Sequence, residues 1–335
     1  MNLLLAGALA ADERADWAAC LHAALPGHTL HLSRSAAVDP LLDAAIVANP
    51  PPGSLAGLPG LRLIQSLWAG VDRLLADATL PPGVPIARMV DPAMTAAMTE
   101  TALWATLALH RGFFGYARQQ QAGLWQPLAP CRADEWPVLV LGFGQMGRAV
   151  ALRLAQQGYP VTAWRRSAAT RRAAADGMDA DGTAEMTAKM TADLTGGVRV
   201  VSSAAAPADA LAQARSVINL LPLTPDTRGL IDARWLAGQR RGAGLVNLAR
   251  GAHVVDADLL AALDSGQVGH AVLDVFATEP LPAGHRYWQH PQVTVLPHAA
   301  APTDMRSAAA LVARNIDALA AGWPLHHLVA RAAGY

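Results

Sequence analysis

Only two cysteines, Cys20 and Cys131, occur in the 335 residues, and they form neither a disulfide framework nor a thiolate metal pattern. That shortage suits a reducing compartment, and the expected location is the cytoplasm. Net charge is missing as well. Lys+Arg and Asp+Glu balance at 26 each, so no global field draws the chain to nucleic acid or to a membrane surface. No apolar run reaches the ~18 residues that a membrane span needs. The opening MNLLLAGALAA has an A-x-A-like end but no basic n-region, and Asp12 and Glu13 follow at once. Asn2–Ala6 therefore reads as a buried first strand and not as a secretory leader. His253, His270, His285 and His290 are irregularly spaced, read as surface or structural residues, and offer no metal site.

What is present is apolar. Hydrophobic residues make up 53% and charged ones 16%, a balance that excludes large-scale disorder. The length exceeds what one core usually supports, which predicts two domains and a ligand recognised locally. Short apolar runs at Asn2–Ala6, Thr29–Leu32, Ala44–Ala48, Arg62–Leu67 and Val84–Ala87 alternate with helical stretches such as Asp12–Ala24, the pattern of a parallel α/β domain. A long helix is predicted over roughly Thr95–Gln121, followed by LWQPLAP (124–130). A second α/β unit begins at Val138, with strands at Val138–Leu141, Val161–Trp164, Ser216–Leu220, Gly244–Leu248, Ala271–Val275 and Val293–Leu296. A final helix runs over about Pro302–Ala321. Residues 168–197, rich in Ala, Thr, Met and Gly without a clean period, read as an inserted surface loop or a frayed helix.

VLVLGFGQMG (138–147) places Gly142, Gly144 and Gly147 in G-x-G-x-x-G spacing between an apolar strand and a helix over Arg148–Gln157. The first glycine permits the tight turn, the second admits a pyrophosphate, and the third lets helix and strand pack closely. The helix N-terminus then faces the phosphates. The next strand ends Trp164-Arg165-Arg166-Ser167 with no acid to bind the ribose hydroxyls of NAD. Two guanidiniums and a hydroxyl suit a 2′-phosphate, so NADP is the expected cofactor, with NAD admissible.

Three further residues lie in order downstream: Arg250 in NLARG, Glu279 in DVFATEP and His298 in LPHAA. Each falls at the C-terminal end of a predicted strand or just beyond it, the edge where open parallel sheets bind ligands. A rigid guanidinium can fix a carboxylate and polarise a ketone. His298 is the natural general acid, and Glu279 would orient its ring and favour the protonated form until it donates. The combination points to hydride reduction of a 2-keto acid. Upstream, LWAGVD (67–72) supplies the Ala69-Gly70-Val71 amides as a cradle for a carboxylate, with Trp68 beside them.

With these segments the chain resembles the D-2-hydroxyacid dehydrogenases, and within them it is most similar to the glyoxylate/hydroxypyruvate reductase A group. LWQPL (124–128), INLLPLTPDTRGLI (218–231), the run 245–301 and RAAGY (331–335) carry the likeness over nearly the whole chain. The resemblance implies two Rossmann-like or flavodoxin-like parallel-sheet domains with an active-site cleft between them. Residues 1–98 plus 300–335 would form the substrate domain and 99–299 the dinucleotide-binding domain, with the 168–197 insertion as a departure. It also implies that Arg250 binds substrate, that Glu279 and His298 are the acid–base pair, and that Asp274 holds the nicotinamide carboxamide. Gln145 and Met146 would sit at the pyrophosphate, Leu221-Pro222 along the adenosine side, and Leu248-Ala249 beside the nicotinamide ribose. A homodimer is implied, with Trp125 either reaching the partner's site or serving as a core or interface anchor. Glyoxylate and hydroxypyruvate are the expected substrates. Competing readings are a bulkier keto acid such as phenylpyruvate, a phosphite- or formate-type dehydrogenase, and a silent corepressor-like protein that binds the cofactor without turnover.

Overall fold

The computed structural model describes residues 1–166, 196–203, 206–332 and 334. The chain divides into two compact units, Met1–Met94 with Pro302–Tyr335, and Thr95–Ala301. Among the described residues no helix is long and apolar enough to cross a membrane.

The first unit is built on a five-stranded parallel sheet, ordered β2-β1-β3-β4-β5. Its strands are β1 (Asn2–Gly7), β2 (Thr29–His31), β3 (Leu42–Ala48), β4 (Leu63–Ser66) and β5 (Ile86–Ala87). Strands covered on both faces can be continuously apolar, and β3 accordingly reads LDAAIVA. One core gathers Leu4, Leu42, Val47, Leu55, Ile64 and Ile86. Helix Ala11–Ala24 and helix Met305–Ala321 pack on each other. Helix Met305–Ala321 buries Ala308, Ala309, Val312 and Ile316, a helical stripe. Asp304 caps it by accepting from the N–H groups of Arg306 and Ser307, so it starts three residues later than the sequence reading placed it. It stops at Gly322, whose φ of +69° suits a residue without Cβ.

The second unit carries a seven-stranded parallel sheet, ordered β12-β11-β10-β9-β6-β7-β8. Its strands are β6 (Val138–Leu141), β7 (Val161–Arg165), β8 (Arg199–Ser202), β9 (Ser216–Asn219), β10 (Ala243–Asn247), β11 (Val268–Leu273) and β12 (Val293–Val295). Strand order reverses at β6, between β9 and β7, and such a switch point opens a crevice at the C-terminal strand ends.

Three local expectations need correction. The long helix is two, Pro92–His110 and Phe113–Gln121, because Gly112 takes a left-handed φ of +70° and ends the first ladder. Strand β8 was not anticipated; RVVS is short, and its burial is incomplete at the sheet edge. The strand expected at Ala271–Val275 begins earlier, at Val268, and ends at Leu273. The expected insertion falls, apart from Gly196 and Gly197, outside the described residues.

Candidate functional site

The glycine loop follows β6 directly. A Cβ on Gly142 would lie 2.8 Å from the Leu220 carbonyl oxygen, and Gly142 holds φ at +102°. A Cβ on Gly147 would collide with the Gly142 carbonyl, closing the gap that lets helix Gln145–Gln156 sit against the turn. Around Gly144, in contrast, a Cβ would meet nothing within 4 Å. That helix has no side-chain cap at Gly144, so its first N–H groups remain available to an anion. Gln145 is exposed and Met146 half-buried at this end.

Arg250, Glu279 and His298 leave the C-terminal ends of β10, β11 and β12, which are neighbours in the sheet. His298 Nδ1 and Glu279 Oε2 are 3.0 Å apart. The other carboxylate oxygen of Glu279 accepts from the Phe276 N–H at 3.0 Å, which fixes the carboxylate within its own turn. His298 is a non-glycine residue at φ +55°, a conformation that needs support from its surroundings. Asp274 provides it. Its carbonyl accepts from the His298 N–H at 2.9 Å, and its carboxylate accepts from the N–H groups of Ala299 (2.7 Å) and Ala300 (3.1 Å). Burial raises the Asp274 pKa, and those two N–H groups oppose the rise.

Arg250 is half-buried, with Nη1 donating to the Ala249 carbonyl at 2.7 Å. Its loop is held by a buried polar network absent from the sequence expectations. Asn247 Nδ2 donates to the Arg250 carbonyl (3.0 Å), and Asn219 Nδ2 donates to Asn247 Oδ1 (3.0 Å). His253, fully buried, sets Nδ1 3.1 Å from the Arg250 carbonyl oxygen and Nε2 3.3 Å from that of Pro222. An asparagine ending an otherwise apolar strand, as in SVIN and AGLVN, was the available signal. Gly251 brings the Arg250 loop against the Glu279 turn, since a Cβ there would overlap the Phe276 carbonyl carbon at 1.9 Å.

The other expected residues have mixed surroundings. Trp164 is a core residue whose indole N–H donates to Ser203 Oγ at 3.1 Å; its carbonyl accepts from the Gly142 N–H. Burial of the ring follows from the inward face of β7, so its side chain serves the core. Arg165 donates from Nε to Ser202 Oγ at 2.8 Å, and Arg166 pairs with Asp226 at 2.6 Å on the surface. Ser167 lies outside the described residues. Leu221, Leu248 and Ala249 are buried, and Pro222 is half-buried. Trp125 is 99% exposed.

In the first unit, Ser66 Oγ accepts from the Trp68 N–H at 3.0 Å, and the Trp68 carbonyl accepts from the Met89 N–H. Among the described residues, the N–H groups of Ala69, Gly70 and Val71 donate to no protein acceptor. The helix that follows, Asp72–Leu75, is a single turn. Trp68 rests edge-on against Trp17 at 6.2 Å. No group of three or more His, Cys, Asp or Glu among the described residues is placed to hold a metal ion.

Comparison with known proteins identifies the family. The family described as D-isomer specific 2-hydroxyacid dehydrogenase, NAD binding domain, matches residues 103–194 and 196–300. A glyoxylate/hydroxypyruvate reductase A from Serratia proteamaculans is 40% identical over 285 residues, covering 84% of this chain and 83% of that protein. A D-isomer specific 2-hydroxyacid dehydrogenase from Xanthobacter autotrophicus, solved with NADPH and MES, superposes with a TM-score of 0.85 at 36% identity, covering 100% of this chain and 99% of that one. An NADPH-dependent glyoxylate/hydroxypyruvate reductase from Sinorhizobium meliloti, solved with NADP and sulfate, gives 0.84 at 31% identity, covering 100% and 99%. The chain belongs to the D-isomer specific 2-hydroxyacid dehydrogenase family.

Proposed function

We propose that this protein is an NADPH-dependent reductase of small 2-keto acids, converting glyoxylate to glycolate and hydroxypyruvate to glycerate. One observation carries the reading above the others: the His298–Glu279 pair at 3.0 Å, set on the same sheet edge as Arg250 and the glycine loop. The cofactor fits the residues present. Open space over Gly144 and the uncapped helix beyond it suit a pyrophosphate, with Gln145, Met146 and Gly147 around it. Arg165 and Arg166 are the candidates to hold a 2′-phosphate.

When bound, the nicotinamide supplies a hydride to the carbonyl carbon of the keto acid. The protein's part is to hold the substrate and deliver a proton. Arg250 binds the carboxylate and polarises the carbonyl. His298, oriented through Nδ1 by Glu279, gives the Nε2 proton to the carbonyl oxygen as the alkoxide develops. Asp274 holds the His298 loop, and through it the site for the carboxamide. The reaction consumes one proton and one reduced cofactor for each hydroxy acid formed.

The working form is proposed to be a cytoplasmic homodimer. Trp104, Phe113, Leu124, Trp125 and Leu128 are exposed large apolar side chains within 25 residues of chain, more than an isolated surface usually shows together. The test is steady-state kinetics with glyoxylate, hydroxypyruvate and phenylpyruvate, each with NADPH and NADH. Arg250→Ala, His298→Ala and Glu279→Gln should each lower kcat by about 100-fold or more. Undiminished turnover in His298→Ala would remove the proposed acid. A wild-type protein that binds NADPH and turns over no keto acid would remove the function.

A further inference from the structure

A cluster of basic side chains lies in the first unit, on residues with no role assigned above. Arg88, Arg314, His326 and His327 line one pocket together with Gln65 and Asn315, and none of the lining residues is acidic. Arg88 follows β5 directly, and Arg314 lies on helix Met305–Ala321. Among the described residues the Arg88 guanidinium has no hydrogen-bond or ion-pair partner, although burial lowers its pKa. Buried arginines ordinarily find a carboxylate. Burial, then the charges of Arg88, His326 and Arg314, lower the pKa of His327. The two guanidiniums therefore share this space with no carboxylate lining it.

The walls of this pocket are fixed. Asn315 is buried, donates from Nδ2 to Gln65 Oε1 at 2.7 Å and to the His326 carbonyl at 3.1 Å, and accepts from the His326 N–H at 2.8 Å. The Arg88 N–H donates to the His327 carbonyl at 3.1 Å, and the Val329 N–H donates to the Ile86 carbonyl at 2.8 Å. Those bonds hold His327 at φ +58°, a left-handed conformation rare for a residue with a Cβ. Strain of this kind persists where surrounding contacts over-determine it, and it clusters at ligand sites.

We propose that this pocket binds a small oxyanion, a carboxylate or phosphate group, between the guanidinium groups of Arg88 and Arg314 with the imidazoles of His326 and His327 around it. An anion there would supply the counter-charge that the protein does not, and the planar guanidinium fork matches either oxyanion. The site is distinct from the glycine loop, whose ligand is held by backbone amides at a helix start in the second unit.

The experiment is titration of the full chain with inorganic phosphate and, separately, with acetate, at constant ionic strength balanced with chloride. Binding is followed by calorimetry and by the thermal unfolding midpoint. Saturable stabilisation by at least one anion is expected in the wild type, and the more effective anion identifies the source. Arg88→Gln and Arg314→Gln should each weaken it by about tenfold or more, the scale of a lost charge-assisted hydrogen bond. Arg314 is exposed on its helix, so Arg314→Gln keeps the test valid even where Arg88→Gln fails to fold. With saturating NADPH bound, so that phosphate cannot occupy the proposed cofactor site, the response should persist. No saturable response in the wild type, an unchanged response in Arg314→Gln, or a response abolished by saturating NADPH would each overturn the proposal.

Discussion

Gly251→Ala is the sharpest single-atom test of how the proposed catalytic loops are brought together. The added methyl would sit 1.9 Å from the Phe276 carbonyl carbon and 2.3 Å from the Ala277 nitrogen, whereas real Cβ contacts essentially never fall below 3.0 Å. The difference, 3.0 − 1.9 = 1.1 Å, is the least by which the two backbones must part. Both obstructing atoms are main chain, so no side chain can swing aside. Residue 251 follows Arg250, and Phe276 donates its N–H to Glu279, so the separation moves the guanidinium away from the carboxylate–imidazole pair. A misplacement of about 1 Å costs on the order of 100-fold in rate, equivalent to about 2.7 kcal/mol of transition-state stabilisation. Overpacking of the junction should also lower stability by about 1–3 kcal/mol. The assay is kcat/KM for glyoxylate beside a thermal unfolding curve and NADPH affinity, which should be unchanged because Gly142–Gly147 are untouched. A variant with wild-type kcat/KM and unfolding midpoint would refute the close-approach argument.

Two further outcomes follow from side chains away from that junction. His270 is stacked on Phe114 at 4.0 Å, bonded through Nε2 to Thr294, and buried; that burial first, and then Arg118 and His290, lower its pKa from 6.5 to about 4. The unfolded chain therefore takes up this proton first, so stability is lost as pH falls from about 6.5 to about 4, by roughly 3 kcal/mol in total. Denaturant unfolding of His270→Gln across that range should show a correspondingly shallower pH dependence; identical curves would refute the assignment. At the cofactor end, the exposed Arg166–Asp226 pair contributes about 0–1 kcal/mol, little enough for a phosphate to displace. Arg165→Gln/Arg166→Gln should lower kcat/KM with NADPH by about 10–100-fold while leaving NADH unaffected, and equal losses with both cofactors would show that the arginines do not read the 2′-phosphate.

What the amino-acid order determined by itself was most of the local structure. Apolar runs such as VLVL and LDAAIVA specify buried parallel strands, and G-x-G-x-x-G after one of them specifies a turn into a helix with open N–H groups. The placement of Arg250, Glu279 and His298 just past three apolar runs was equally legible, because strand ends are marked where hydrophobicity stops. The helix break at Gly112 escaped because glycine interrupts a helix only when its φ turns positive, which the residue type permits but does not demand. Tertiary structure alone decided the rest, since the pairings depend on strand order and register across many residues. The order β10-β11-β12 makes neighbours of the Arg250, Glu279 and His298 loops. Contact between β9 and β10 joins Asn219 to Asn247 and on to the Arg250 carbonyl. The same holds for the pocket of Arg88, Arg314, His326 and His327: residues more than 220 positions apart in the chain share one charged space only because the C-terminal segment runs back along β5.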